Sequence, residues 1–196
     1  MVKQLLHILI IALALFAISC SNSTRIDLEK NKQGKKFFFN DEYSIALKHF
    51  QEAAQINPRN DVSIAYIGFC EYHLLQTSSA LFHFNKALEL NRTNNIALFG
   101  KSLIVWQLGD PMSAYLLFDS VTKNNPNHDK AFYYKGKAVL GFGDTTYAIK
   151  SLNIAIQNAP LFTEPYYLLS SIYLNLGDQL KADSLIQKAA IIKSTK

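Results

Sequence analysis

The 196-residue sequence predicts an all-α fold, a solenoid of five stacked helix-turn-helix repeats. Three observations predict it. A pattern recurs every 34 residues without a gap, in blocks 27–60, 61–94, 95–128, 129–162 and 163–196. Small residues hold fixed columns, one of them alanine in all five blocks: Ala46, Ala80, Ala114, Ala148 and Ala182. Within each block, apolar residues fall at helical spacing on two stretches of about 12–14 residues, separated by a turn.

The chain opens on a different kind of segment. Residues 1–20 read MVKQLLHILIIALALFAISC. Lys3 is a short basic start, Leu5 to Ile18 is an apolar run broken only by His7, and small Ser19 precedes Cys20. A run of this length is short for a membrane span, which needs about 20 apolar residues, and its order fits an export signal. The ending Ala17-Ile18-Ser19-Cys20 resembles the lipobox of bacterial lipoproteins, with Ala17 where leucine is usual. The resemblance implies a signal peptide over 1–19, cleavage before Cys20, and lipidation of Cys20. Acyl chains there would anchor the protein, each buried methylene contributing about 0.8 kcal/mol. Ser21 rather than aspartate after the cysteine favours the outer membrane over the inner one, by resemblance to the common sorting rule. Residues 20–26 then form the lipidated cysteine and a short polar tether.

In the repeats, the first helix of the first block, about 28–39, begins with Glu29, Lys30, Asn31, Lys32 and Gln33, as suits a solvated end. A second small column holds Ala53, Ala87, Val121, Ala155 and Ala189. Between the two small columns lie Phe50, Phe84, Phe118, Leu152 and Ile186. Small residues let paired helices approach, and the large residue fills the remaining space. Gly34, Gly68, Ser102, Gly136 and Ser170 form a third small column. Turns at Gly109-Asp110, Gly143-Asp144 and Gly177-Asp178 pair a glycine that ends one helix with an aspartate that caps the next. Asn57-Pro58 and Asn125-Pro126 read as helix ends.

Period and columns together resemble the tetratricopeptide repeat family, over residues 27–196. The resemblance implies a right-handed α-solenoid of five such repeats, a non-enzymatic protein, and a groove lined by the first helix of each pair that takes a segment of a partner protein. Matching the groove-facing columns gives Asn31, Lys35, Phe38 and Phe39 in the first block and Ala65, Phe69, Tyr72 and His73 in the second. The third gives Phe99, Leu103, Trp106 and Gln107, the fourth Tyr133, Lys137, Leu140 and Gly141, and the fifth Tyr167, Ser171, Leu174 and Asn175. The partner groove is drawn chiefly from Phe38, Phe69, Tyr72, Phe99, Trp106, Tyr133, Lys137, Tyr167 and Asn175. Rings such as Trp106 and Tyr72 fit either the groove or the packing between helices.

Other functions find less support. The net charge of +5 includes Lys3, the only charged side chain in residues 1–19, and the modest remainder does not point to nucleic acid. The five histidines are scattered without metal-ligand spacing, so neither metal nor cofactor is expected. Gly141-Phe142-Gly143 lacks the third glycine and the strand of a dinucleotide loop. Cys70, among apolar residues, reads as a buried thiol. Lys30, Lys32, Lys35 and Lys36 form a solvated face, or one near enough to the anchor to meet anionic headgroups. The last helix carries Leu180, Leu185, Ile191 and Ile192 where a sixth repeat would stack. It is an exposed end or the contact of a homodimer. The expected protein is therefore an interaction scaffold of the bacterial cell envelope, membrane-anchored through Cys20. The alternative is a self-associating structural lipoprotein.

Overall fold

The computed structural model describes residues 25–195. The residues of the expected lipidation site, Cys20, of the expected signal segment, 1–19, and most of the expected tether lie outside the described residues. Among those described there is no strand, and no helix is long and apolar enough to cross a membrane. Helix α1 occupies 25–39. It is followed by α2 (Tyr43–Ile56), α3 (Asp61–His73), α4 (Thr77–Leu90), α5 (Asn95–Gln107), α6 (Pro111–Asn124), α7 (Asp129–Leu140), α8 (Thr145–Asn158), α9 (Glu164–Asn175) and α10 (Gln179–Ser194). The second helix of every pair starts 34 residues after its predecessor, at Tyr43, Thr77, Pro111, Thr145 and Gln179. The described residues form two compact units divided between Ala97 and Leu98, within α5.

The small columns are the seams of both units. Ala46, Ala80, Ala114, Ala148 and Ala182 are fully buried, as are Ala53, Ala87, Val121, Ala155 and Ala189. Small side chains, a methyl at nine of the ten positions and a valine at Val121, let these helices cross closely. The glycine column has a specific partner in the large column, sixteen residues on. A Cβ on Gly34 would stand 2.8 Å from the Phe50 ring, one on Gly68 2.8 Å from Phe84, and one on Gly136 3.0 Å from Leu152. Each ring or branched chain lies flat on the preceding helix where no side chain projects. In the first unit Phe50 also stacks on Tyr66 at 4.8 Å. In the second, Leu152 joins Leu169 and Ile172 in a cluster flanked by Tyr133, Leu140, Ile156 and Leu185. The fifth member of the column departs from the expected packing. Ile186 is 42% exposed, because no further helix follows α10 among the described residues to cover it.

All five intra-repeat turns place a residue in the left-handed region: Asp41 (φ 63°), Leu75 (φ 61°), Gly109 (φ 81°), Gly143 (φ 92°) and Gly177 (φ 78°). The sequence marks only the last three. After those glycines, Asp110, Asp144 and Asp178 each accept a hydrogen bond from a first-turn amide, of Ser113 (2.9 Å), Tyr147 (2.9 Å) and Lys181 (3.1 Å). Glu42 and Gln76 occupy the same position and make no side-chain cap bond. The turn before α4 therefore combines a strained leucine, 89% exposed, with an unused cap. The double variant Leu75→Gly/Gln76→Asp is expected to gain about 1–2 kcal/mol in stability, by removing left-handed strain and adding a cap. Urea unfolding followed by circular dichroism checks it; a midpoint at or below wild type rejects the account.

A polar clasp, missed in the sequence, ties successive pairs in the first unit. Buried Asp27 accepts hydrogen bonds from the side-chain amides of Asn57 (3.1 Å) and Asn60 (3.0 Å). Thirty-four residues on, Asp61 accepts from Asn91 (2.8 Å) and Asn94 (2.7 Å). Asn60 and Asn94 turn their oxygens to the amides of Ser63 (3.0 Å) and Ala97 (2.9 Å), capping the next helix. One side chain thus starts a helix and fastens it to the preceding pair.

Candidate partner-binding face

The first helices of the pairs present the aromatic side chains chosen from the sequence, and the two units hold them differently. In the first unit, Phe38 on α1 is half-buried at the centre of a ring cluster. It meets Phe39, Tyr43, Tyr66, Phe69 and His73 at centroid distances of 5.4–6.2 Å, mostly edge to face. Tyr43 stacks on His73 at 4.1 Å and donates its hydroxyl hydrogen bond to Asp41. That bond, with burial second, raises the Tyr43 hydroxyl to about 12. Tyr72 is half-buried beside Phe69 and His73. Phe39 is 72% exposed.

Some of the column-matched residues belong to the interior instead. Asn31 is buried, and its side-chain amide donates to the Ser63 hydroxyl of α3. Ala65 is fully buried, and Leu103 nearly so. Phe99 is 9% exposed, with its ring against Phe118 (5.9 Å), Tyr134 (6.1 Å) and His128 (4.6 Å). Phe99 is therefore a packing residue and no part of an open groove.

In the second unit the face is built from α5, α7 and α9. Trp106 and Tyr133 are half-buried, Tyr167 is 38% exposed, and Asn175 is exposed at the end of α9. Tyr133 packs edge-on to Tyr134 (5.1 Å) and Phe162 (5.3 Å). Burial first, then the neighbouring Tyr134 and Glu164, pushes its hydroxyl above the ordinary tyrosine value. The Lys137 ammonium stands over three rings, those of Trp106 (5.6 Å), Tyr133 (5.6 Å) and Tyr134 (5.5 Å). Lys193, from α10, stands over Tyr167 at 5.1 Å. Tyr134 and Lys193 escaped the sequence reading. Tyr134 lies one position off the matched column, and Lys193 is on a second helix, which that comparison left out. On α10, Leu180 (85%) and Ile191 (58%) are exposed, Leu185 packs on the Leu152 cluster, and Ile192 is half-buried.

Among the described residues no group of three or more His, Cys, Asp or Glu side chains could hold a metal ion. Cys70 is fully buried, and burial, ahead of the nearby Glu71 charge, pushes its thiol up to about 12. The arrangement can do what ring faces with a few cations do, which is to hold a chain laid across them.

Residues 163–194 match the tetratricopeptide repeat model. The fold is that of tetratricopeptide solenoid proteins. MamA from Desulfovibrio magneticus RS-1 superposes with a TM-score of 0.70 and 16% identity, over 87% of this chain and 97% of that one. YrrB, described as a tetratricopeptide protein with an unusual peptide-binding site, gives a TM-score of 0.64 and 16% identity, over 91% and 92%. PilW, described as a widely conserved type IV pilus biogenesis factor, gives 0.76 and 17%, over 86% and 78%. At these identities the likeness is one of fold. No curated protein matches the sequence. The matched tetratricopeptide repeat is the pair α9–α10, which carries Tyr167, Asn175 and Lys193.

Proposed function

We propose that the protein is a membrane-anchored interaction scaffold of the bacterial cell envelope that holds a segment of a partner protein on its first-helix face. The observation that carries this reading is the row Trp106, Tyr133 and Tyr167, rings from three successive first helices left partly open to solvent. Aromatic side chains offer large contact area at little rotamer cost, so a partner chain gains most there. The peptide site of YrrB, in a protein of the same fold, is consistent with it. The anchor rests on the residues around Cys20 and on the order of the segment before it.

One experiment in two arms tests the reading. Trp106→Ala/Tyr133→Ala/Tyr167→Ala leaves the buried columns intact and is expected to lose most partners recovered by crosslinked pull-down from envelope membranes. Cys20→Ala is expected to lose metabolic fatty-acid label. Partners unchanged in the triple variant would place binding elsewhere, and undiminished label on Cys20→Ala would remove the anchor. Phe99 is left out of the triple variant because its truncation would disturb the core rather than the face.

A further inference from the structure

Helix α1 keeps an exposed outer face, on the side opposite the seam at Gly34. The residues at helical spacing along it are Arg25, Leu28, Glu29, Lys32, Lys36 and Phe39, and all six are exposed. Leu28 is 62% exposed and Phe39 72%. The structure sorts the lysines of this helix into two kinds. Lys30 reaches Glu52 of α2 at 2.6 Å, and Lys35 stands over the Tyr66 ring of α3 at 5.4 Å, so both are taken up within the first unit. Lys32 and Lys36 share the outer face with Arg25. Glu29 is the one acid among the six, and it accepts a hydrogen bond from the Gln33 side chain at 3.1 Å. Asp41 and Glu42 follow Phe39 in the turn and do not interrupt the cations. A solvated end needs charge, but it has no need of a leucine and a phenylalanine left open beside that charge.

We infer that this face of α1 lies on a bilayer surface carrying anionic headgroups, with Leu28 and Phe39 entering the boundary between headgroups and acyl chains. The inference rests on the membrane-anchored reading above and adds which face of the chain the membrane meets. Cations beside large apolar side chains on one helical face are the means by which a helix lies in the plane of an interface. The stems of Arg25, Lys32 and Lys36 can lie along the apolar layer while their charged ends stay among the phosphates. Each cation near an anionic surface strengthens binding about fivefold. Three cations against one acid make a weak patch by themselves, and the anchor supplies what they lack. The chain from Cys20 to Arg25 spans at most about 18 Å, so acyl chains on Cys20 would hold the start of α1 within that distance of the bilayer. Docking is then intramolecular, and a weak patch suffices because the membrane surface is always at hand. The same tether brings no protein or nucleic acid to α1, which is why the charge is assigned to lipid.

The test uses the full-length protein, extracted from envelope membranes and reconstituted with vesicles of phosphatidylcholine, alone or with about a third phosphatidylglycerol. An environment-sensitive fluorophore is attached at Leu28→Cys, at Phe39→Cys or, as a control, at Glu89→Cys on α4. Cys70 is fully buried and does not compete for the label, and protein without an added cysteine serves as the blank. On the anionic vesicles the probes at 28 and 39 are expected to shift to the blue and to be quenched by lipids brominated near the headgroup, while the probe at 89 stays in water. Arg25→Gln/Lys32→Gln/Lys36→Gln is expected to weaken docking about a hundredfold and return both probes to water, and Glu29→Gln to strengthen it about fivefold. All four substituted positions are exposed, so circular dichroism should not change. Flotation of the vesicles reports the anchor separately. Protein that floats with both kinds of vesicle while the probes at 28 and 39 remain in water overturns the inference and leaves the anchor standing, as does a triple variant whose probes stay buried. Protein that floats only with the anionic vesicles, with both probes buried, removes the anchor and keeps the face. Protein that floats with neither removes both.

Discussion

Asp119→Ala is expected to destabilise the protein by about 3–5 kcal/mol, because it strands a buried ammonium. Lys135 is 5% exposed, and its Nζ lies 2.7 Å from Asp119 Oδ1. Around it stand the rings of Tyr147 (5.3 Å), Phe132 (5.7 Å) and Tyr115 (5.8 Å), with the Thr122 hydroxyl at 3.4 Å. None of these neutral groups can replace the carboxylate. The reciprocal change, Lys135→Met, is expected to be close to neutral. It substitutes an apolar chain of similar length, and Asp119 keeps its second partner Lys123 at 2.7 Å. Adding Lys135→Met to Asp119→Ala should therefore recover most of the loss. Urea unfolding of the three variants decides the matter: a loss below about 1 kcal/mol for Asp119→Ala, or a double variant no better than the single, contradicts the mechanism.

The same pair sets a pH dependence. Burial pushes the Asp119 carboxyl up, but hydrogen bonds from Lys123 and Lys135 outweigh it and hold the group below the ordinary aspartate value. Burial likewise pushes the Lys135 ammonium down, and Asp119 and Tyr147 outweigh that, holding it above the ordinary lysine value. A depressed carboxylate contributes stability that is present above its unfolded pKa and lost as pH falls through the folded one. A raised ammonium contributes stability that is present below its unfolded pKa and lost as pH rises through the folded one. The pair's contribution is accordingly flat through neutral pH and declines only at the acidic and alkaline extremes.

Phe118→Ala is expected to cost about 3–5 kcal/mol, whereas Ile186→Ala, in the same column of the repeat, should cost under about 1 kcal/mol. Phe118 is fully buried, stacked on Tyr134 at 5.6 Å and edge-on to Phe99 at 5.9 Å, so truncation empties a space that neighbouring helices cannot close. Ile186 is 42% exposed, and water already reaches it. In a stacked array each repeat contacts only its neighbours, so the loss at Phe118 should concentrate in α5–α7. Hydrogen exchange along the chain locates it. Equal costs at the two positions would mean that place in the repeat, not burial, sets the energy.

Much of the fold was legible because periodicity is a property of sequence. The alanine columns predicted seams, and every one of their members is fully buried. The turn glycines predicted helix ends at 109, 143 and 177, and all three lie in the left-handed region just past a helix. Asp41 and Leu75 were missed because leucine does not signal that backbone and aspartate does so more weakly than glycine; the 34-residue spacing of the turns is what aligns them with the glycines. The candidate face was less legible. Phe38, Trp106, Tyr133 and Tyr167 are partly open to solvent, as their columns suggest, yet Phe99 sits in an equivalent place and is buried. An aromatic at helical spacing serves core or surface according to what its neighbours leave uncovered.

By itself the sequence determined the helix pairs, their 34-residue register, and the small and large residues that meet at each crossing. These follow from side-chain volume and backbone preference, which are local and repeat with the chain. Only the tertiary structure decided that Lys135 is sealed against Asp119, while Lys137, two residues away, stands on open rings. It alone decided that Asp27 and Asp61 clasp asparagines thirty or more residues distant, and that Ile186 is left 42% exposed. The reason is physical: burial and charge pairing depend on which other helices arrive at a side chain, and neighbouring positions on one helix face different ones.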